Sequence, residues 1–125
     1  MRKIAIIEDA KDNLDFLYYL LRDEFIAIRY DSGEEALQGF ASDVPDLIVL
    51  DIRLNGMDGL EVLKRIRQDQ ELKQIPVVAL TANAMLGDRE KYLNAGFDEY
   101  IPKPIIDVNE FVGSLRRLIS EFPID

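Results

Sequence analysis

Three unbroken apolar runs of strand length constrain the fold of this chain more than any other feature. They cover residues 4–7, 47–50 and 77–80, and they contain only Ile, Leu, Val and Ala. A strand with one face in water alternates apolar and polar residues, whereas a parallel strand covered by helices on both faces is apolar throughout. The three runs therefore predict the central strands of a parallel sheet.

Helical patterns separate these strands along the whole chain. Two further strands are predicted over residues 25–30 and 99–101, and helices over residues 11–22, 59–67 and 84–94. Ser32 with Glu35 forms a capping box ahead of another helix, and Asp107 with Glu110 caps the last one. Asp58 is the expected cap of the helix over residues 59–67, whose apolar positions are Leu60, Leu63 and Ile66. Five strands that alternate with five helices predict a doubly wound α/β fold of the flavodoxin-like (βα)5 type. Its parallel sheet is expected to have the strand order 2-1-3-4-5.

Composition excludes several classes of function. The chain has no cysteine and no histidine, so it forms no disulfide and has no thiolate nucleophile or histidine base of its own. A net charge of −9 argues against a direct nucleic-acid partner, because binding to a phosphate backbone needs a basic surface. No apolar stretch approaches the ~20 residues of a membrane span, and Glu8 ends the first apolar run too early for a signal peptide. We expect a cytoplasmic protein without a membrane partner.

Polar side chains of distinct kinds follow four of the five predicted strands. Glu8 and Asp9 come directly after the first strand, Asp51 after the third and Thr81 after the fourth, and Lys103 lies two residues beyond the fifth. The carboxyl ends of parallel strands form one edge of the sheet, and ligands of doubly wound folds bind at that edge. We therefore expect these five residues to form a single site.

The three carboxylates of this group need a cation. Two unit charges ~4 Å apart repel each other by about 4 kcal/mol at an effective dielectric constant of 20. One or two carboxylates together with water and phosphate oxygens is the usual protein site for Mg²⁺. The Lys103 amine and the Thr81 hydroxyl are suited to phosphate oxygens, and a carboxylate such as Asp51 can itself act as the nucleophile. The pattern predicts Mg²⁺-assisted phosphoryl transfer onto a carboxylate.

Each of these residues also has an ordinary structural interpretation. Glu8 or Asp9 can stabilise the start of the first helix, where acids are favoured. Thr81 can cap a helix that begins near Ala84, and Lys103 can be a solvated surface residue. If each residue is considered alone, the structural interpretation is favoured. The convergence of all five residues on one edge of the sheet favours the phosphoryl-transfer site.

The sequence resembles the receiver domains of two-component response regulators along essentially its whole length. The motifs that carry the resemblance match in order and spacing; they are Glu8-Asp9, Asp51, Met57-Asp58-Gly59, Thr81-Ala82, Tyr100 and Lys103-Pro104. The resemblance implies one receiver domain over residues 1–125 and a phosphorylation-dependent signalling switch. Such a switch is not an enzyme with a separate substrate, because it assists only its own phosphorylation and dephosphorylation.

The resemblance also implies roles for individual residues at the phosphorylation site. Asp51 would be the phosphoacceptor, and Lys103 would contact the phosphoryl group. Glu8, Asp9 and Asp51 would hold Mg²⁺ together with the backbone carbonyl of Arg53.

Further roles follow for the residues around that site. Thr81 would be the switch hydroxyl and Tyr100 the switch aromatic residue, although tyrosine is also common packing in a short edge strand. Arg53 and Asn83 would lie at the mouth of the site and tune the rate of dephosphorylation. The peptide bond between Lys103 and Pro104 would be cis.

The partners are expected on both sides of the phosphorylation event. A phosphohistidine on a sensor histidine kinase or a histidine phosphotransfer protein would supply the phosphoryl group. The fourth helix, last strand and last helix would then present an altered surface to a downstream protein. Three aromatic residues of the first helix, Phe16, Tyr18 and Tyr19, either help to dock the donor or pack in the core.

Two details depart from the family pattern. Leu54-Asn55 stands where the family often has Met-Pro, which predicts a freer loop after Asp51. Gly87 lies inside the predicted fourth helix, where glycine costs ~1 kcal/mol relative to alanine, unless the helix starts irregularly.

Three other functions fit the sequence less well. A haloacid dehalogenase-type phosphohydrolase would need an aspartate at the position of Arg53. A flavin-binding protein would not place Glu8 and Asp9 beside the flavin phosphate. A receiver that is never phosphorylated usually lacks an acid or the lysine, and none is missing here.

Overall fold

The computed structural model describes residues 1–82 and 85–121 of the 125-residue chain. Its strands form one parallel sheet in the order β2-β1-β3-β4-β5. The strand bounds are β1 (Lys3–Ile7), β2 (Ile26–Tyr30), β3 (Leu47–Asp51), β4 (Val77–Thr81) and β5 (Glu99–Pro102). The predicted fold class and strand order are confirmed.

Among the described residues, five helices cover the two faces of this sheet. They are α1 (Lys11–Leu21), α2 (Gly33–Phe40), α3 (Gly59–Gln68), α4 (Asp88–Ala95) and α5 (Val108–Glu121). Buried side chains of α1 and α5 pack with one face of the sheet, and those of α2 and α3 pack with the other. The apolar strands β1, β3 and β4 lie between these two cores, which is why both faces of each had to be apolar.

Side-chain caps fix the starts of three helices where the sequence predicts them. The Ser32 hydroxyl accepts a hydrogen bond from the Glu35 N–H at 3.1 Å, and the Asp58 carboxylate accepts one from the Glu61 N–H at 2.9 Å. Asp107 accepts a third from the N–H of Glu110 at 3.0 Å. These bonds satisfy N–H groups that have no partner within the helix.

The fourth helix begins later than the sequence pattern predicts. Helix α4 starts at Asp88, and Ala84, the predicted start, lies outside the described residues. Gly87 has φ of 89°, a left-handed conformation that ends the preceding segment rather than continuing a helix. The Asp88 carboxylate accepts a hydrogen bond from the N–H of Met85 at 2.9 Å. Gly87 therefore marks an irregular helix start, as the second interpretation predicts, and does not lie inside the helix. Thr81 is too far from Asp88 to cap this helix.

One residue that was predicted on the buried stripe of α3 lies partly in solvent. Leu60 is 37% exposed, whereas Val62, Leu63 and Ile66 are buried. Within the described part of the chain, no helix combines the length and apolarity needed to cross a membrane.

Candidate functional site

The carboxylates of Glu8, Asp9 and Asp51 form a cluster at the carboxyl edge of the sheet. One oxygen from each lies within 4.8 Å of the others. Glu8 and Asp9 follow the last residue of β1, and Asp51 is the last residue of β3, which pairs directly with β1. The parallel register, with Ile7 opposite Leu50, brings the ends of the two strands side by side.

Lys103 joins two of these carboxylates. Its Nζ lies 3.0 Å from Asp51 Oδ2 and also donates a hydrogen bond to Glu8 Oε1. The lysine comes directly after β5, and its backbone N–H donates to the Thr81 carbonyl oxygen at 2.7 Å. The peptide bond between Lys103 and Pro104 is cis. The Lys103 side chain, which follows β5, thus reaches past the end of β4 and contacts Asp51 at the end of β3.

Burial and close contacts shift the pKa values of ionisable groups in the cluster. Glu8 is 1% exposed and Asp51 is 5% exposed. Burial, followed by the neighbouring Asp51 carboxylate, raises the pKa of Glu8 to about 7 against the opposing effect of Lys103. Burial tends to lower the pKa of Lys103, but its hydrogen bonds with Glu8 and Asp51 raise the pKa overall. The lysine therefore stays positively charged, and the pocket retains an excess of negative charge.

Backbone donors in the β3–α3 loop orient two of the acids. The N–H of Arg53 donates to Asp51 Oδ1 at 2.9 Å, and the N–H of Asn55 donates to Asp9 Oδ2 at 2.9 Å. Sequence reasoning missed both donors, because a main-chain N–H exists at every residue except proline. Asn55 stands where related sequences often have proline, so the departure from the family pattern provides the donor to Asp9. The loop is tied down there rather than freed.

Gly59 closes the other end of this loop. Its N–H donates to the Ile52 carbonyl oxygen at 3.0 Å. A Cβ at this position would lie 2.6 Å from Ile52 Cα, so only glycine lets the start of α3 approach the end of β3 this closely. The glycine of the Met57-Asp58-Gly59 motif therefore supports the geometry of Asp51.

The residues of the cluster suit a magnesium ion. They offer only carboxylate oxygens, which are ligands that Mg²⁺ prefers, and the chain has no histidine or cysteine to favour a softer metal. Three acids and one lysine leave unbalanced negative charge in a buried place, which a divalent cation neutralises. Glu8, Asp9 and Asp51 are thus the residues that would hold the ion.

Thr81 and Tyr100 lie on the strands next to Asp51. Thr81 ends β4 and is buried, one residue after the partner of Asp51 in the β3–β4 register. Tyr100 lies in β5 opposite Ala79 and is 6% exposed. Its hydroxyl is buried and has no hydrogen-bond partner among the described residues. Asn83, predicted at the mouth of the site, lies outside the described residues.

Two concavities border the site and the strand that carries Lys103. One, of about 410 Å³, is lined by Phe16, Leu17, Ala82, Lys103 and Ile105 among others. The other, of about 590 Å³, runs between β5 and the start of α5 and has Arg89, Tyr100 and Ile106 in its lining. Phe16 and Tyr19 are exposed on α1, whereas Tyr18 packs against the core.

Comparisons with known proteins agree with this geometry. The sequence profile of the response regulator receiver domain matches residues 4–116. The chain is 38% identical over 121 residues to the polar-differentiation response regulator DivK of Brucella ovis, covering 96% of this chain and 98% of that protein. The receiver domain of a sensor histidine kinase from Pseudomonas aeruginosa, solved with a magnesium ion coordinated in its active-site cleft, superposes with a TM-score of 0.85. Its identity is 32%, with 95% of this chain and 98% of that chain covered. A signal receiver domain of a histidine kinase from Syntrophus aciditrophicus gives a TM-score of 0.89 at 26% identity, covering 100% and 95% of the two chains.

Proposed function

The chain belongs to the response regulator receiver domain family, and from this membership we propose that Asp51 is its phosphoacceptor. Receiver domains act in phosphorylation-dependent signalling and are not a family of enzymes with separate substrates. The proposal assigns residues 1–125 to a single receiver domain. It also assigns the carboxyl edge of the sheet to the phosphorylation reaction.

The observation that carries the proposal is the position of Lys103. Its Nζ lies 3.0 Å from Asp51 Oδ2 and also contacts Glu8, inside a group of three converging carboxylates. A purely structural ion pair would not need two further buried or half-buried acids, since each added charge costs free energy in this setting. An ammonium group and an oxygen-lined cation site beside one nucleophilic carboxylate are the parts that phosphoryl transfer requires.

The reaction forms an acyl phosphate on Asp51. A carboxylate oxygen of Asp51 attacks phosphorus, the P–N bond of a partner's phosphohistidine breaks, and the imidazole leaves with the bond's electron pair. Lys103, which contacts Asp51 Oδ2, binds the phosphoryl oxygens after transfer. The Arg53 N–H holds the other oxygen of Asp51 in position. Glu8, Asp9, Asp51 and the Arg53 carbonyl would hold Mg²⁺, which would supply positive charge to offset the charge on the transferring group.

The same site reverses the modification by hydrolysis. Water attacks phosphorus, the bond to the Asp51 oxygen breaks, and inorganic phosphate is released with the carboxylate restored. Arg53 is exposed beside the cluster, and Asn83 follows Thr81 by two residues. We assign to both the tuning of the water's access, and hence of the phosphoryl lifetime.

The signal leaves the site through Thr81 and Tyr100. The Thr81 hydroxyl moves to the phosphoryl group and vacates space that Tyr100 uses, so that the population of output conformations shifts. The surface of α4, β5 and α5 then gains or loses a protein partner. A sensor histidine kinase or a histidine phosphotransfer protein is the donor. The exposed Phe16 and Tyr19 and the 410 Å³ concavity next to Lys103 support docking of this donor along α1.

Intact mass spectrometry tests the proposal directly. With Mg²⁺ and acetyl phosphate, the parent protein is expected to gain one phosphoryl group, and Asp51→Asn is expected to gain none. Asp69→Asn is the matched control, because Asp69 lies in the loop between α3 and β4 at the other edge of the sheet. Omission of Mg²⁺ with a chelator should slow the modification strongly.

Two outcomes would contradict the proposal. The first is an unmodified parent protein, and the second is an Asp51→Asn variant that is modified as readily as the parent. The decay of the adduct in the same samples tests the tuning residues: replacing both Arg53 and Asn83 with alanine should change the lifetime, and an unchanged lifetime would remove them from the scheme.

A further inference from the structure

Helix α4 is attached to the sheet differently from the other helices. Each of its eight residues is at least partly exposed, whereas α1, α2, α3 and α5 each bury three or four residues. Apolar burial is the main force that fixes a helix on a sheet. The few contacts that α4 does make with β5 therefore decide how firmly it is held.

Tyr92 contacts two aromatic rings, one of them in β5. Its ring stacks on the ring of Tyr100, with centroids 5.7 Å apart and planes inclined by 11°, and it meets Phe97 edge-on at 6.1 Å. One turn earlier, Arg89 donates to the Tyr100 carbonyl oxygen at 3.2 Å and pairs with Glu99 at 2.8 Å. Helix α4 thus packs an aromatic ring on the Tyr100 side chain and donates a hydrogen bond to the backbone of the same residue.

The inward position of Tyr100 has an opposing cost. Its buried hydroxyl has no hydrogen-bond partner among the described residues, and a buried hydroxyl without a partner favours any conformation that returns it to water. Tyr100 also lines the 590 Å³ groove beside Arg89 and Ile106, which gives the ring room to turn outward. A neighbouring ring is therefore in a position to bias the orientation of this side chain.

We propose that Tyr92 is a positioning residue that holds Tyr100 inward by stacking on it, and so sets the balance between inward and outward conformations. The proposal rests on the role assigned to Tyr100 in the proposed function. Removal of the stacking ring loosens Tyr100 and α4 together, whereas loss of the Tyr92 hydroxyl alone leaves the stack in place.

The orientation of Tyr100 is measurable without phosphorylation. The five tyrosines of the full chain are labelled with 3-fluorotyrosine, and their ¹⁹F resonances are assigned by single Tyr→Phe variants. The solvent isotope shift of the Tyr100 fluorine between H₂O and D₂O reports its exposure. Tyr92→Leu is expected to raise the outward population of Tyr100 roughly threefold to tenfold, the range that loss of one aromatic pair allows.

Three companion variants make this measurement specific. Tyr92→Phe keeps the ring and should match the parent. Tyr18→Leu removes a half-buried tyrosine of α1 that also meets another ring edge-on, and it should leave the Tyr100 resonance unchanged. Tyr92→Met is measured beside Tyr92→Leu, and it decides the result if the leucine variant fails to fold by circular dichroism.

The outcomes separate this inference from the proposed function. If Tyr100 stays as protected in folded Tyr92→Leu or Tyr92→Met as in the parent, the inference is overturned, whatever happens at Asp51. If the parent takes no phosphoryl group from acetyl phosphate, the proposed function fails, while the ¹⁹F result still decides whether Tyr92 positions Tyr100. If both hold, the rate of phosphorylation should change in Tyr92→Leu and remain parental in Tyr92→Phe.

Discussion

At the scale of single residues, the position of Asp51 depends on Gly59, which has no side chain and takes no part in the reaction. A Cβ on Gly59 would lie 2.8 Å from the Asp51 carbonyl oxygen and 2.6 Å from Ile52 Cα. Both are backbone atoms, which cannot turn aside as the end of a side chain can. Any side chain at this position would have to push the start of α3 away from β3, and the donors of the β3–α3 loop would move with it.

We therefore expect Gly59→Ala to destabilise the fold by about 1–3 kcal/mol, the usual cost of overpacking. It should also slow the modification of Asp51 by acetyl phosphate. Urea unfolding and intact mass spectrometry measure the two effects.

Gly113→Ala is the matched control for this prediction. Gly113 lies inside α5, and its Cβ would find its nearest neighbour, an Arg117 nitrogen, at 3.7 Å. Alanine should stabilise that helix by about 0.5–1 kcal/mol and leave Asp51 unaffected. Equal effects of the two substitutions would contradict the role of Gly59.

At the scale of helices and strands, local signals worked where burial and capping agreed. The caps at Ser32 and Asp58 lie where the sequence predicts them, and the helices after them bury the expected faces except at Leu60. Helix α4 is the exception. The residues around Gly87 favour a helix, but the left-handed conformation of Gly87 makes the helix begin only at Asp88. Because α4 has no buried stripe, its sequence lacks the apolar periodicity from which helix bounds are predicted.

A surface ion pair ties α5 to the turn after α1. Arg116 Nε and one terminal nitrogen donate to the two oxygens of Glu24 at 2.6 and 2.7 Å. The hydrogen bond with Arg116 lowers the pKa of Glu24, so the carboxylate contributes stability above its ordinary titration range and loses it as the pH falls through the lowered pKa. Both side chains are exposed, so the contribution is small and sensitive to salt.

We expect Glu24→Gln to be slightly less stable than the parent at neutral pH and low salt. The difference should vanish in acid, once Glu24 is protonated, and in high salt. Urea unfolding at several pH values measures it, and Asp23→Asn, a more exposed neighbour with only a long contact to Arg22, serves as the control. A difference that persists in acid would show that the pair does not explain it.

At the scale of the whole molecule, the two edges of the sheet have separate tasks. The carboxyl edge holds the three acids and Lys103. The opposite edge is fastened by Arg67, whose guanidinium donates to the carbonyl oxygens of Lys73, Ile75 and Gly96 and pairs with Asp98 at 2.9 Å. Asp98 in turn accepts a hydrogen bond from the Val77 N–H at 2.8 Å, so this network joins α3 to the starts of β4 and β5.

Arg67→Lys should therefore lower stability without altering the phosphorylation chemistry. Lysine cannot reproduce the planar fork, and loss of charged hydrogen bonds in this half-buried place is expected to cost about 1.5–3 kcal/mol. Urea unfolding measures the loss, and the rate with acetyl phosphate should remain parental.

Arg65→Lys is the control on the same helix, because Arg65 is exposed and pairs only loosely with Glu61, at 3.4 Å. If Arg67→Lys changes the phosphorylation rate while Arg65→Lys does not, the two edges are coupled, and the separation of tasks is wrong.

The sequence by itself determined the fold class, the strand order and the identity of the groups at the carboxyl edge. Fully apolar strands and the polar residues that follow them are local features, and the parallel arrangement makes their consequence general. Glu8, Asp9, Asp51, Thr81 and Lys103 were therefore identifiable before their distances were known.

Only the tertiary structure decided how these groups are held. The bridge from Lys103 to Glu8 joins residues 95 positions apart, and the donors to Asp51 and Asp9 are main-chain groups that no residue type specifies. The stack of Tyr92 on Tyr100 depends on where α4 begins, which the left-handed Gly87 sets. Periodicity reports which face of an element is buried, whereas contacts between elements follow from the three-dimensional arrangement of the whole chain.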